Sequence, residues 1–320
     1  MKTILVTGAS GFIGQALSRE LLQNGQSVIL ATRSSQNIPS LYKDARVIKV
    51  DLNDNETNWI AHLQSVDTVI HLAARVHVMK EQAEDSLSLY RQINIEGTEK
   101  IAKSAVLAGV RRFIYLSSVK VHGEENILPY SELDKKAPLD EYGLSKSDAE
   151  NKLLEIARQS KMEVVIIRPP LVYGPGVKAN FYSLFKIVNK NFPLPFGNID
   201  NKRSYVALTN LVNFIIFCID HPKAANEVFL ISDGEDISTT ELVEKIAKAL
   251  DKKKCLISIP VGLMRFLAMI LGKRNLTRRL FGSLRVDSSK ARELLGWKPV
   301  ITMDEQLKIT ADTFLNEKTI

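Results

Sequence analysis

Six short runs of β-branched and other apolar residues punctuate the first half of the chain: Ile4 to Gly8, Val28 to Thr32, Val47 to Asp51, Thr68 to Ala74, Phe113 to Ser118 and Val164 to Pro170. Between them apolar residues recur at helical spacing, over Gln15 to Gln23 and over Leu87 to Ala108, where Gly109 is a plausible C-cap. Near-continuous apolar strands separated by amphipathic helices predict an α/β fold, a doubly wound parallel sheet covered on both faces. After Pro169-Pro170 the texture changes to loops punctuated by Gly174-Pro175-Gly176 and Pro193-Leu194-Pro195, joined by short helices and an apolar run from Val228 to Ser232. Helices are predicted over Thr239 to Leu250, Gly262 to Leu271 and Ser288 to Leu295, with Ser238 and Glu241 spaced as a capping box for the first. The expected organisation is a dinucleotide-binding domain over 1–168 with returning segments near 203–232. A smaller α/β substrate-binding lobe over 169–202 and 233–320 completes it.

Composition narrows the classes. The chain has 320 residues, 45% apolar and 25% charged, enough to bury a core without staples. Two distant cysteines, Cys218 and Cys255, exclude a disulfide scaffold and a multi-cysteine zinc cluster. The five histidines show no ligand spacing, so no metal is assigned, and His77 and His122 read as hydrogen-bonded structural groups. The first residues run straight into a strand and a glycine motif, with no signal-peptide pattern, so the expected location is the cytoplasm and the sequons at Asn55 and Asn275 are discounted. Residues 1–160 hold 19 Lys and Arg against 20 Asp and Glu, while 161–320 hold 24 against 16. A basic second half suits an anionic ligand such as a diphosphate, or an anionic membrane. No recognition module or basic stretch interleaved with aromatics points to nucleic acid. The apolar stretch Val261 to Leu271, followed by Lys273-Arg274 and Arg278-Arg279, is half the ~20 residues of a spanning helix. It reads as a lid or core helix of the second lobe, with a helix lying on a membrane as the alternative.

Thr7 to Gly14 carries glycines at 8, 11 and 14 between a strand and a helix, the context of a Rossmann-type dinucleotide site. Gly8 permits the tight turn, Gly11 lets backbone approach a pyrophosphate, and Gly14 lets helix and strand pack closely. Tyr142 and Lys146 stand at i and i+4, on one helical face, and Ser117-Ser118 lies 24 residues before the tyrosine at a strand end. An ammonium beside a phenol lowers its pKa, the phenol exchanges a proton with the reacting oxygen, and Ser118 orients that oxygen.

With these motifs the chain resembles the extended short-chain dehydrogenase/reductase family, in particular its nucleotide-sugar epimerases, dehydratases and reductases. The resemblance covers nearly the whole chain. It extends to Asp51-Leu52, His71 to Ala74, Asn94 to Gly97, Arg168 to Gly176, Asn180, Arg203 to Val206, and Asp287 through Trp297. It implies catalytic roles for Ser118, Tyr142 and Lys146. Cofactor contacts are expected from Gly8, Ser10, Gly11, Phe12, Ile13, Gly14, Arg33, Asp51, Leu52, Leu72, Ala73, Ala74, Tyr142, Lys146 and Pro169. Substrate contacts are expected from Arg75, Ser118, Lys120, Tyr142, Asn180 and Arg203, and a structural role from Asn94. A homodimer is implied through the helices near 87–108 and 139–157.

The departures from the pattern refine the expectation. Val119-Lys120 stands where sugar dehydratases carry an acid and a base, so dehydration is rejected. Arg75-Val76 stands where UDP-glucose 4-epimerases often have a lysine. Strand 2 ends Ala31-Thr32-Arg33-Ser34 instead of in an acid that would hold both adenosine ribose hydroxyls, which favours NADP(H) over NAD(H). The expected activity is oxidoreduction at C4 of a UDP-(N-acetyl)hexose, favoured as a 4-keto reductase for surface-polysaccharide precursors. A UDP-glucose or UDP-N-acetylglucosamine 4-epimerase is the alternative, and a non-catalytic dinucleotide sensor the remote one.

Overall fold

The structure, a computed structural model, describes residues 2–33, 42, 45–54, 57–76, 83–270 and 280–316. Ser34, His77, Asn55, Asn275 and the basic pairs Lys273-Arg274 and Arg278-Arg279 lie outside them.

Strands β1 (Thr3–Thr7), β2 (Ser27–Thr32), β3 (Arg46–Lys49), β4 (Val66–His71), β5 (Arg112–Leu116), β6 (Glu163–Arg168) and β9 (Val228–Leu230) form one seven-stranded sheet in the order β3-β2-β1-β4-β5-β6-β9. All its pairings are parallel. Ile4 and Val6 face a core shared with Leu17, Leu21, Phe214 and Trp297, and Leu5 between them faces another with Ile101, Tyr115 and Leu153. Burial on both faces is why these strands read as unbroken apolar runs. The first face is covered by α1 (Phe12–Gln23) and α7 (Leu208–Asp220), the second by α4 (Gly97–Leu107) and α5 (Glu141–Gln159). α2 (Trp59–Leu63) adds Trp59 and Leu63 to the second face. Strand order reverses between β1 and β4, so their carboxyl ends open the crevice where such sheets take ligands.

The smaller lobe holds β7 (Leu171–Tyr173), β8 (Arg203–Ala207) and β10 (Asp236–Ile237), in the order β10-β8-β7. It packs with α6 (Ala179–Asn189), α8 (Thr239–Ala249) and α11 (Met303–Asn316) around Tyr173, Phe185, Ile246 and Phe314. Of the returning segment 203–232, β8 pairs in this small sheet and β9 in the large one. The expected capping box is formed: Ser238 accepts the Glu241 N–H at 3.0 Å, and Glu241 accepts that of Ser238 at 2.6 Å. α10 (Ser289–Leu295) sends Ala291 and Leu295 into the core of the large sheet.

Two expectations are corrected. The single helix over 87–108 is three segments: α3 (Ala83–Tyr90), a π-helical segment Arg91–Glu96, and α4. The wider turn carries Asn94 inward, 1% exposed, where its amide bonds two other segments, a recurrent cause of such bulges. The other correction concerns α9 (Val261–Ile270), which is not a core helix, because Leu263, Phe266, Met269 and Ile270 are exposed.

Candidate active site

The glycine turn is built by close approach. Gly8 has φ +68°, and a Cβ there would lie 2.8 Å from the Ala73 nitrogen, so the turn is pressed against the end of β4. At Gly14 a Cβ would lie 2.1 Å from the Gly8 carbonyl oxygen, so the first turn of α1 rests directly on the loop. Gly11 is the N-cap of α1, and its N–H donates to the Gly8 carbonyl at 2.9 Å. Ser10, Gly11 and Phe12 line a cleft of about 1240 Å³ whose far wall is the second lobe at Val172, Val177 and Tyr182. Ile13 and Leu72 pack on the core beneath. A loop in which side chains would collide, at the positive end of a helix, fits a dinucleotide pyrophosphate.

A buried chain of hydrogen bonds fixes the strand ends around this turn. Thr98 Oγ1 donates to the Asn94 carbonyl at 2.7 Å and so accepts from His71 Nε2 at 3.0 Å. That leaves His71 Nδ1 to accept from Thr7 Oγ1 at 2.7 Å, and Thr7 Oγ1 in turn accepts the Ala73 N–H at 3.2 Å. Burial holds His71 neutral, pushing its pKa down to about 3, with the Lys146 charge adding to the effect. Asn94 bonds the backbone of Arg75 in both directions and donates to Ser145 Oγ at 2.9 Å, tying the loop after β4 to α5. Ala74 lies in that loop, partly buried.

α5, which carries Tyr142 and Lys146, is locked to the end of β5 and to the turn that Ser118 caps. Asp140 caps α5, accepting the Gly143 N–H at 2.7 Å. A Cβ at Gly143 would lie 2.7 Å from the Lys120 carbonyl oxygen, so the helix start abuts the 3-10 turn Val119–Val121 that Ser118 caps. One turn on, Lys146 Nζ donates to the Leu116 carbonyl at 2.7 Å and lies 4.4 Å from the centroid of the Tyr115 ring. Lys146 is 2% exposed, and burial pulls its pKa down to about 7 against the opposing charge of Glu150. Tyr142 is pushed well up, first by burial, then by the charge of Asp140 and by Tyr90, so its phenol is protonated here. The Pro169 carbonyl accepts the Val119 N–H at 3.0 Å, holding the turn from the side of β6.

The sequence reading missed Glu150. It is fully buried; Oε1 accepts from Ser117 Oγ at 2.5 Å and Arg168 Nε at 2.9 Å, and Oε2 from Arg168 Nη2 at 2.7 Å. Arg168 also donates from Nη1 to His122 Nε2 at 2.9 Å. Burial and the Arg168 charge bring the His122 pKa down to about 4.

The expected substrate residues divide. The Arg75 guanidinium lies 5.9 Å from the Tyr90 ring centroid, and Tyr90 packs edge-on to Tyr142 at 6.5 Å, so Arg75 borders the site. Lys120 is engaged in ion pairs with Asp140 and with Glu124 at 3.0 Å. Arg203, in β8, donates to the Gly282 carbonyl at 2.9 Å, and Asn180 is exposed on α6. Of the cofactor residues at the sheet's edge, Arg33 and Asp51 are exposed, and Leu52 packs against Gly97. Thr32 turns inward and donates to Ser10 Oγ at 3.1 Å. That hydroxyl is spent on the glycine turn.

A family model for the NAD dependent epimerase/dehydratase family matches residues 4–232. A UDP-glucose 4-epimerase of Vibrio cholerae is 47% identical over 318 residues, covering 98% of this chain and 96% of that protein. The N-acetyl-α-D-glucosaminyl-diphospho-ditrans,octacis-undecaprenol 4-epimerase of Escherichia coli O157:H7 is 30% identical over 78% of this chain and 73% of its own length. Among solved structures, UDP-glucuronic acid 4-epimerase from Bacillus cereus in complex with NAD superposes with a TM-score of 0.80 at 25% identity, over 98% of this chain and 96% of that one.

Proposed function

The chain belongs to the NAD dependent epimerase/dehydratase family, and from that premise we propose that it is a UDP-hexose 4-epimerase that works with NAD. The observation that carries the reading is the 47% identity to a UDP-glucose 4-epimerase along nearly the full length of both chains. It supports the epimerase over the 4-keto reductase that the sequence pattern favoured. The inward turn of Thr32 and the NAD of the B. cereus structure support NAD over NADP, leaving exposed Arg33 beside the adenine end. The turn at Gly8, Gly11 and Gly14 fits a dinucleotide, because its glycines let the loop close on Ala73 and on the first turn of α1, whose N-terminus then faces the cleft.

NAD, when bound, takes up and returns the hydride of sugar C4. The chain's own residues handle the proton. Tyr142, once its own proton has left to solvent, accepts the proton of the C4 hydroxyl during oxidation and gives it back to the C4 oxygen of the returned alcohol, on whichever face the hydride re-enters. Burial makes the phenolate costly; a cation beside the phenol would offset that cost, and Lys146, one helical turn on, is the group we assign to it. Ser118 orients the same oxygen, and Arg75 and Arg203 neutralise the diphosphate. The substrate lobe spans 169–202 and 233–320. A homodimer through the π-interrupted helix and α5 is part of the reading, and exposed Leu87, Leu107 and Leu144 are the apolar groups it would cover.

The test incubates purified protein with UDP-glucose and, separately, UDP-N-acetylglucosamine, without added cofactor, and follows the C4 proton by NMR. Interconversion with the galacto epimer, and NAD released on acid denaturation, is the expected result. An inert protein that consumes NADPH only when given a 4-keto sugar nucleotide would return the assignment to the reductase.

A further inference from the structure

The helix α9 is apolar on the side it shows to solvent. Leu263, Phe266 and Ile270 are 50%, 55% and 64% exposed, and at about 100° per residue they share an arc of about 60°. Met269, 48% exposed, and then the exposed Arg265 follow on one side, while Val261 and Met264 are partly covered on the other. The run leading into the helix adds Ile257, 50% exposed, and its bridge at Leu256 to Leu194 ties it to the loop of Phe192, 61% exposed. Scattered apolar side chains on a surface are ordinary; five or six from one short segment are an interaction site.

Charge identifies the occupant. From Lys252 to Val286 the sequence has nine Lys and Arg and no Asp or Glu, enough to account for the whole basic surplus of the second half. Lys252, Lys253 and Lys254 are exposed at its start, and only Lys254 meets an acid, Glu244 at 2.6 Å. An apolar helix face preceded by exposed lysines, in a stretch of sequence with no acid of its own, matches the interfacial helices that lie in the headgroup layer of acidic bilayers. At ten residues the helix is too short to cross one. We propose that α9 and the exposed lysines before it, Lys252, Lys253 and Lys254, dock the protein on an anionic phospholipid surface. The proposal is independent of the reaction assigned to the sheet's edge.

Co-sedimentation with vesicles of phosphatidylcholine, with and without phosphatidylglycerol, tests it. The full chain is expected to bind the anionic vesicles at least about tenfold better, and to leave them as salt rises. The variant Leu263→Ser/Phe266→Ser/Ile270→Ser should lose that binding while keeping its melting temperature, its mass by light scattering and its turnover of a UDP-sugar. Lys252→Gln/Lys253→Gln/Lys254→Gln should weaken it without abolishing it. Wild-type protein that ignores both vesicles, or binds both equally, overturns the proposal. So does a triple-serine variant of altered mass, which would make the face a contact between copies, or one that binds vesicles normally but turns over slowly, which would make α9 a lid.

Discussion

Replacing Glu150 with glutamine keeps the shape of the side chain and removes its charge from a buried site. Arg168, 4% exposed, then retains a buried guanidinium that faces a neutral amide and keeps an acceptor for only one of its two contacts, at 2.7 and 2.9 Å. Removing one partner of a buried pair costs about 3–5 kcal/mol, far more than an exposed pair contributes. For a chain of this size that lowers the melting temperature by roughly 4–7 °C. Glu150→Gln/Arg168→Met removes the orphaned charge as well and should recover most of the loss, which a double-mutant cycle reads directly. Glu150 also opposes the burial that lowers the Lys146 pKa to about 7, so its loss moves that pKa lower still. Catalysis that needs the Lys146 ammonium would then fail at a lower pH on the alkaline side. That shift should persist in the double variant, because the missing charge is still missing. Thermal unfolding and kcat against pH measure the two effects separately. A single variant that melts with the wild type, or with the double variant, would refute the buried-charge argument.

Tyr142→Phe should lower kcat by on the order of 10² or more while leaving cofactor retention nearly unchanged, since it removes a proton carrier and little surface; stopped assays and cofactor release measure both. Gly14→Ala puts a methyl 2.1 Å from the Gly8 carbonyl oxygen, so the glycine turn must shift; the purified variant should be largely free of NAD, and one that retains a full equivalent would contradict the packing. His71 and His122 are held at about 3 and about 4, below the ordinary 6.5. Their stabilisation is complete above pH 6.5 and is lost as pH falls toward those values, because the unfolded chain then binds protons that the folded one refuses. Denaturant unfolding at pH 7 and pH 5 should show the fall, and His122→Asn should reduce it.

The parallel sheet was legible because strands buried on both faces leave an unbroken apolar signature, as Ile4, Leu5 and Val6 do by facing two cores. The glycine turn and the Tyr142–Lys146 pair were legible because close approach and helical spacing are local properties of the chain. The π-helical segment was not, because apolar periodicity cannot register one extra residue in a turn, and the reason for it, the inward amide of Asn94, lies in contacts with Arg75 and Ser145. Glu150 was passed over because a glutamate in a helix ordinarily faces water. Its position at i+8 from Tyr142, between buried Ala149 and Leu153, was the available signal, and Arg168 at the end of an apolar strand was its missing partner. The roles of Lys120 and Arg203 were hardest to read, since their partners come from elsewhere in the chain: Asp140 for one, Gly282 for the other.

Helix α5 measures out the site. It touches the end of β5 and the turn beyond it at four places along its length: Asp140 to the Lys120 ammonium, Gly143 to the Lys120 carbonyl, Lys146 to the Leu116 carbonyl, and Glu150 to the Ser117 hydroxyl. The spacings of three, three and four residues keep all the contacts on one face. A slip of one residue would rotate that face by about 100° and break every one of them, so the register is fixed several times over. Tyr142 stands inside the same series, next to Gly143. The backbone that carries its phenol is therefore fixed relative to the segment of Ser118 by contacts within the chain. That is the arrangement a proton carrier for a ketone intermediate requires: the group that takes the proton stays put while the sugar ring turns between its two faces.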